Sequence, residues 1–476
     1  MSTLKRFFQD TFIYGLATVL PRLMNFLLVR LHTNTLENAS YSDNTTFYIY
    51  AAFFNVLLTY GMETSFFRFF NNEKYKANRV FSTALISLTF TTIVFFSLVW
   101  YFNESLASFV NLKLSYFNFL VGVLVLDTLV VVPFAYLRAS GRPIKFSIIK
   151  LISVFTYVLL NLFFLWAMPK YNIHFLESYQ DDPVQYVFIA NLAASVLTFL
   201  LLFPYFFKAK LEFDFSILKK LIVYGWPIMV AGMAYIINEN FDKWLLPQLL
   251  GKDINGAYSA CYKIAVFMTI FIQGFRLGAE PFFFSHAKEE NAKNTYAMVM
   301  KYFVILGSLM LVFVTVYLDF FKQMLVADES YWVAIDIVPV VLLANLFLGM
   351  YFNLSIWYKL TDKTRFGMYL SLIGAVVTIA LNYVFIPKIG FMASAWTTLA
   401  AYSIMVIISY ILSRKHYKVP YNLQSIGIYL ILSTSFAFAS FYIFDGHLLI
   451  GTLLLFLFLG IVYIKEKKEL LKILQA

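Results

Sequence analysis

Eight charged side chains sit in, or at the ends of, otherwise apolar stretches of this sequence: Arg22, Lys263 and Arg276, and the acids Glu63, Asp127, Glu239, Asp242 and Glu280. A charge at the centre of a membrane-spanning helix costs at least about 2.5–3.5 kcal/mol, so such residues face protein or water and mark ligand or ion paths. The cations could hold an anion, and the carboxylates could exchange a proton or a sodium ion. Spacing groups them. Tyr14, Thr18, Arg22 and Asn25 recur at intervals that share one helical face, as do Tyr48, Asn55, Thr59 and Glu63, and Tyr258, Tyr262, Thr269, Gln273, Arg276 and Glu280, with Lys263 beside the last set. Three polar faces on three apolar helices describe a wet cavity. Each charge also has a structural reading: Arg22 could pair with Asp127 or Glu63 or reach outward to the interface, Lys263 could be interfacial, Arg276 could pair with Glu280, and Asp242 with Lys243. The sequence pairs no nucleophile with a base, and it holds neither a metal-ligand cluster nor a phosphate-binding loop, so an enzyme is not expected. Cys261, the single cysteine, excludes an internal disulfide and any Cys-based metal site.

The elements that must position these groups are membrane helices. Of 476 residues, 61% are apolar, 20% aromatic and 13% charged, against about 45–50% apolar and 25% charged in soluble domains. A window of about twenty residues, enough to cross the hydrocarbon core, fits fourteen times. The spans that carry the polar faces are the first (Thr11 to Arg30), second (Thr45 to Phe67) and eighth (Gly256 to Ser285); the seventh runs from Leu218 to Asn238 and the last from His447 to Ile464. The opening MSTLKRFF leads into an apolar run without a small-residue cleavage site, which reads as a retained first helix and not a secretory signal. With the N-terminus inside, 27 Lys/Arg fall in inner segments and seven in outer ones, which places both termini in the cytoplasm. The net charge of +11 is then mostly topology, and no nucleic-acid partner is expected.

The helices repeat. Tyr14-Gly15 matches Tyr224-Gly225; GMETSFFR from Gly61 matches GAEPFFFS from Gly278, setting Glu63 against Glu280. YLRASGRPIKFSIIKLISVFTYVLLNLFFL from Tyr136 aligns without gaps on WYKLTDKTRFGMYLSLIGAVVTIALNYVFI from Trp357, setting Arg138 against Lys359 and Asn161 against Asn382. A six-helix unit returns the chain to its starting side, so the halves are parallel. The expected architecture is an all-α polytopic membrane protein of about 14 transmembrane helices: a six-helix lobe over 1–210, a second over 211–415, a central cavity between them, and two further helices with a cytoplasmic tail over 416–476. Asn161, Asn191, Asn345 and Asn382 read as interhelical hydrogen-bonding groups.

The stretch LIVYGWPIMVAGMAYIINENFDKWLLPQLLGKDINGAYSACYKIA, Leu221 to Ala265, resembles the seventh and eighth helices of bacterial polysaccharide flippases in the multidrug/oligosaccharidyl-lipid/polysaccharide exporter superfamily. It carries Tyr224-Gly225 followed by Pro227, Asp242-Lys243 followed by leucines, the glycine turn from Leu250 to Tyr258, and Tyr262-Lys263-Ile264. VPVVLLANLFLGMYFNLSIWYKLTDKT and NYVFIPKIGFMASAWTT are similar to the tenth to twelfth. The resemblance implies a flippase that turns an undecaprenyl-pyrophosphate-linked oligosaccharide from the inner to the outer leaflet of the bacterial cytoplasmic membrane by alternating access. A pyrophosphate needs cations, and arginine offers it a planar fork, so Arg22, Arg276 and Lys263 would hold it. Tyr258, Tyr262, Gln273 and Asn25 would meet sugar, and the polyprenyl tail would stay in lipid. Glu63, Asp127, Glu239, Asp242 and Glu280 would be coupling sites for H+ or Na+; no other cofactor is implied, and glycan polymerase machinery is an expected partner. A cation-coupled multidrug exporter and a lipid II flippase share the plan; the former would want an acidic or aromatic cavity, whereas the repeat sets Arg276 opposite Thr59. A membrane glycan polymerase would want a long outer loop with catalytic groups.

Reporters fused after Lys145, Lys219 and Lys415 are expected to read cytoplasmic, and those after Asp181, Lys252 and Asp445 the opposite side. One inversion among the first six loops rejects the orientation.

Overall fold

The computed structural model describes residues 24, 26–173, 175, 181–208, 212–287, 289–361 and 363–475. Its regular elements are all helical. Among the described residues, twelve helices are long and apolar enough to cross a membrane. Two of the fourteen expected spans fall outside that number for different reasons. Most of the first lies outside the described residues. The second forms a 22-residue helix, Asn38–Thr59, whose NASYSDNTT start keeps it less apolar than the others.

Three expected spans are corrected. The second is broken by Tyr60 and Gly61, both at positive φ, and resumes as Met62–Phe70. The seventh runs much further than Leu218 to Asn238: Phe215–Leu249 is one helix of 35 residues, about 52 Å long. Asp214 starts it, its carboxylate accepting the Ser216 and Ile217 N–H groups. The last helix also continues past Ile464, over Leu448–Gln475.

The chain forms two compact units, Met1–Gly256 and Ala257–Ala476. In the first, the Phe215–Leu249 helix lies along Asn38–Thr59 and Met62–Phe70. Their closest approach is backbone on backbone: a Cβ built on Gly61 would lie 2.3 Å from the Gly225 carbonyl oxygen, and one on Gly225 would lie 2.7 Å from the Tyr60 oxygen. Gly61 also sits at φ 72°, a region glycine enters without steric cost. Around this point the Ser65 hydroxyl donates to the Leu221 carbonyl at 2.9 Å, and the Arg68 guanidinium lies 4.3 Å from the Tyr224 ring centre. Further along, Trp244 Nε1 donates to the Tyr50 hydroxyl at 2.9 Å. Lys252 meets Asp43 at 2.7 Å, and Asn255 Nδ2 donates to the Ser42 hydroxyl at 2.7 Å.

The second unit is built around Ile337–Leu354, nearly every residue of which is buried. It packs against Met392–His416, Ala292–Val316 and Val266–His286, which explains a continuous apolar run with no polar face. Asn345 Nδ2 reaches the Ala265 carbonyl at 3.4 Å. The final helix is held by charge as well as by lipid-like packing: buried Glu466 accepts Lys301 at 2.7 Å and the Tyr429 hydroxyl at 2.7 Å. A buried charge persists only when paired and hydrogen-bonded, and Glu466 has both.

Gly225→Ala puts a methyl into carbonyl contact, and Gly61→Ala adds the strain of positive φ. Overpacking of this kind costs about 1–3 kcal/mol. Both variants are expected to lower the unfolding temperature in detergent, Gly61→Ala more. Unchanged stability in both rejects the close approach.

Candidate functional site

Two of the acids singled out by sequence, Glu63 and Glu280, are paired in a way that follows the repeat. Glu63 Oε1 accepts Arg138 Nη1 at 2.7 Å; Glu280 Oε1 accepts Lys359 Nζ at 2.8 Å. These four residues are the two pairs that the repeat aligns, so each unit holds the same ion pair between the same two helical regions. The aligned asparagines correspond too. Asn161 donates to the Tyr157 carbonyl at 2.7 Å and Asn382 to the Thr378 carbonyl at 2.8 Å, while their oxygens take His32 Nε2 at 2.9 Å and the Ser394 hydroxyl at 3.0 Å.

The second unit adds a charge that the first lacks. Arg276 lies one turn before Glu280 on Val266–His286 and reaches the same carboxylate oxygen through Nε at 3.4 Å and Nη2 at 3.2 Å. Its guanidinium stacks over Phe352, 4.1 Å from the ring centre. Phe275, Phe352 and Lys359 join Arg276 and Glu280 in lining a narrow pocket. At the aligned position in the first unit, the Thr59 hydroxyl is spent on the Asn55 carbonyl of its own helix at 2.7 Å.

The other expected residues are separated rather than gathered. Arg22 and Asn25 lie outside the described residues. The eighth span is two α-helices, Lys252–Tyr262 and Val266–His286, joined by the 3₁₀ turn Lys263–Ala265. A 3₁₀ turn advances about 120° per residue where an α-helix advances about 100°, so the face of Tyr258 and Tyr262 is rotated by about 60° from that of Gln273, Arg276 and Glu280. Tyr258 and Tyr262 are buried with rings 6.0 Å apart, and Lys263 is exposed. Gln273 Oε1 is buried with no hydrogen-bond partner among the described residues. The break at Tyr60 and Gly61 likewise takes Glu63 off the face of Tyr48, Asn55 and Thr59.

Asp127 accepts the Ser195 hydroxyl at 2.8 Å. Asp242 and Lys243, expected near the outer end of the seventh helix, are inside it, buried and paired at 3.1 Å, and Lys243 Nζ also donates to the Glu239 carbonyl at 2.8 Å. One polar chain joins Tyr48, Asn161 and Asn191, which the sequence marks separately, to His32 and Tyr157, which it does not. His32 meets Asn161, whose helix carries Tyr157; the Tyr157 hydroxyl lies 2.9 Å from that of Tyr48, which accepts Asn191 Nδ2 at 3.2 Å. Among the described residues no group of three or more His, Cys, Asp or Glu gathers to hold a metal.

The sequence matches the family model described as polysaccharide biosynthesis protein over residues 7–279 and the MatE model over 227–384. No curated protein matches it. Solved structures share its fold. The lipid II flippase MurJ in an inward closed conformation is 15% identical with a TM-score of 0.70, over 95% of this chain and 99% of that one. An inward-facing multidrug resistance MATE family transporter of the MOP superfamily is 12% identical with a TM-score of 0.69, over 83% and 94%. A MOP superfamily transporter from Pyrococcus furiosus, described as having reversed pocket polarity, is 14% identical with a TM-score of 0.59, over 86% and 95%.

If the Glu63–Arg138 pair joins its helices as found, Glu63→Arg and Arg138→Glu should each reduce folded yield by setting like charges together, and the double swap should restore it. The coupling is expected to be modest, about 0.2–1 kcal/mol, because the pair is partly exposed. A double variant no better than the worse single one rejects the pairing.

Proposed function

We propose that this chain, which belongs to the polysaccharide biosynthesis protein family, is a flippase that carries a polyprenyl-pyrophosphate-linked oligosaccharide across a bacterial cytoplasmic membrane. The observation that carries the reading is the basic surplus beside Glu280, where two cations face one carboxylate. A cavity for cationic drugs would want the opposite sign. The fold is common to a multidrug transporter and a lipid II flippase, so the fold alone does not choose between substrates; the local charge favours an anionic headgroup over a cationic drug.

In this reading fourteen helices span the membrane, with both termini cytoplasmic and the repeat lobes 1–210 and 211–415 exchanging access between the leaflets. Arg22, Arg276 and Lys263 hold the pyrophosphate. Tyr258, Tyr262, Gln273 and Asn25 meet the glycan, and the orphaned Gln273 oxygen is the kind of acceptor a sugar hydroxyl satisfies. The undecaprenyl tail stays in lipid, since a sugar headgroup cannot cross hydrocarbon with its hydroxyls unpaired. Glu63, Asp127, Glu239, Asp242 and Glu280 remain the coupling candidates for a proton or sodium ion. Asp127 differs from Glu63, Asp242 and Glu280 in that its hydrogen bond comes from a hydroxyl, with Lys150 acting on it only through its field. The product would be handed to a glycan polymerase on the outer face.

Deleting the gene and identifying the lipid-linked sugar retained in the inner leaflet tests the function. Arg22 tests the site. Arg22→Ala should lose transport while remaining folded, and Arg22→Lys should recover only part, since lysine offers a point charge without the fork. A folded Arg22→Ala that binds a polyprenyl diphosphate as tightly as wild type rejects the ligand role.

A further inference from the structure

The geometry points to Glu280 as an internal counter-anion that holds the diphosphate-binding cations Arg276 and Lys359 until a substrate headgroup displaces it. The inference rests on the diphosphate reading above and goes further, since it names Lys359 as a second ligand and gives Glu280 a role other than ion coupling. Three observations carry it. Among the described residues the three hydrogen bonds to the carboxylate converge on one oxygen, Oε1, and the arginine contacts are long against the roughly 2.7–2.9 Å of a well-formed charge-assisted bond. Arginine has five donors; among the described residues only Nε and Nη2 find an acceptor, and that one is Glu280. Phe352 braces the guanidinium plane by stacking, which leaves its edge to a planar anion.

The repeat supplies an internal comparison. In the first unit Glu63 pairs with Arg138, Lys150 lies in the field of both Glu63 and Asp127, and the residue aligned with Arg276 is Thr59, so two acids face two cations. There the charges balance. In the second unit they sum to one positive charge, and the groups are partly open, with side-chain exposures of 38% for Arg276 and Glu280 and 26% for Lys359. Glu280 lies four residues, about 6 Å, and Arg276 eight residues, about 12 Å, from the end of the Lys252–Phe284 span.

Binding of geranylgeranyl diphosphate and of inorganic pyrophosphate to the full chain in nanodiscs tests the proposal. Glu280→Gln removes the competing charge and keeps the side-chain shape, so it should tighten geranylgeranyl diphosphate binding by about tenfold. Lys359→Gln should weaken it by a similar factor. Tighter binding of the lipid than of pyrophosphate identifies a membrane source, and equal binding a soluble diphosphate; either supports the site. Wild-type binding that Glu280→Gln leaves unchanged or weakens overturns the counter-anion role alone. If Glu280→Gln does not fold, Lys359→Gln decides, and unchanged affinity there overturns it. No binding of either probe to wild type or to Glu280→Gln overturns the parent reading instead.

Discussion

A carboxylate that enters an apolar helix must be met by a cation or a hydrogen-bond donor, and most of this structure's polar organisation follows from that requirement. Leaving one partner of a buried pair alone strands a charge at a cost of about 3–5 kcal/mol. The chain meets the requirement through three geometries. Glu63 and Glu280 take cations from a distant helical region. Asp242 takes its neighbour in sequence, with Lys243 folding back along its own helix. Glu466 takes Lys301 and thereby fixes the last helix to the second unit. Glu63 pairs with Arg138, whereas Glu280 meets both Lys359 and Arg276, so the second pair carries one more basic side chain.

The repeat explains why two of these pairs look alike. A duplicated six-helix unit inherits each ion pair in register, so Glu63 with Arg138 and Glu280 with Lys359 preserve sign and partner although arginine has become lysine. The asparagine at 161 and 382 keeps its backbone bond and changes the group on its oxygen, histidine in one unit and serine in the other.

The helical fold and the alignment of the halves were legible because both rest on patterns longer than a turn. The pairings were visible in part: aligned acids and aligned bases were on the page, but nothing in a single helix says that positions 75 or 79 residues apart will meet. Local breaks were hidden. A twenty-residue window averages over Tyr60-Gly61 and over Lys263–Ala265, so the second and eighth spans read as continuous and their polar faces as unbroken. The seventh span was cut short at Asn238 because Glu239, Asp242 and Lys243 lower the mean hydropathy, while in the fold they satisfy one another. The chain from His32 through Asn161 and Tyr157 to Tyr48 is legible only in part: Tyr48 stands on a periodic polar face and Asn161 reads as an interhelical group, but their partners His32 and Tyr157 are over a hundred residues distant.

The contact of Gly61 with Gly225 has a mechanical consequence. Helices that meet through side chains interlock, and sliding or twisting one against the other must first disengage ridges from grooves. Two bare backbones have no ridges to disengage. The Phe215–Leu249 helix therefore rests at Gly225 on a fulcrum where rotation sacrifices little packing. Nineteen residues on, about 28 Å along the same rod, Trp244 donates a hydrogen bond to Tyr50, and Leu245 and Leu246 are buried. With such a lever, a small tilt at the glycine pair becomes a displacement of several ångströms at the far end.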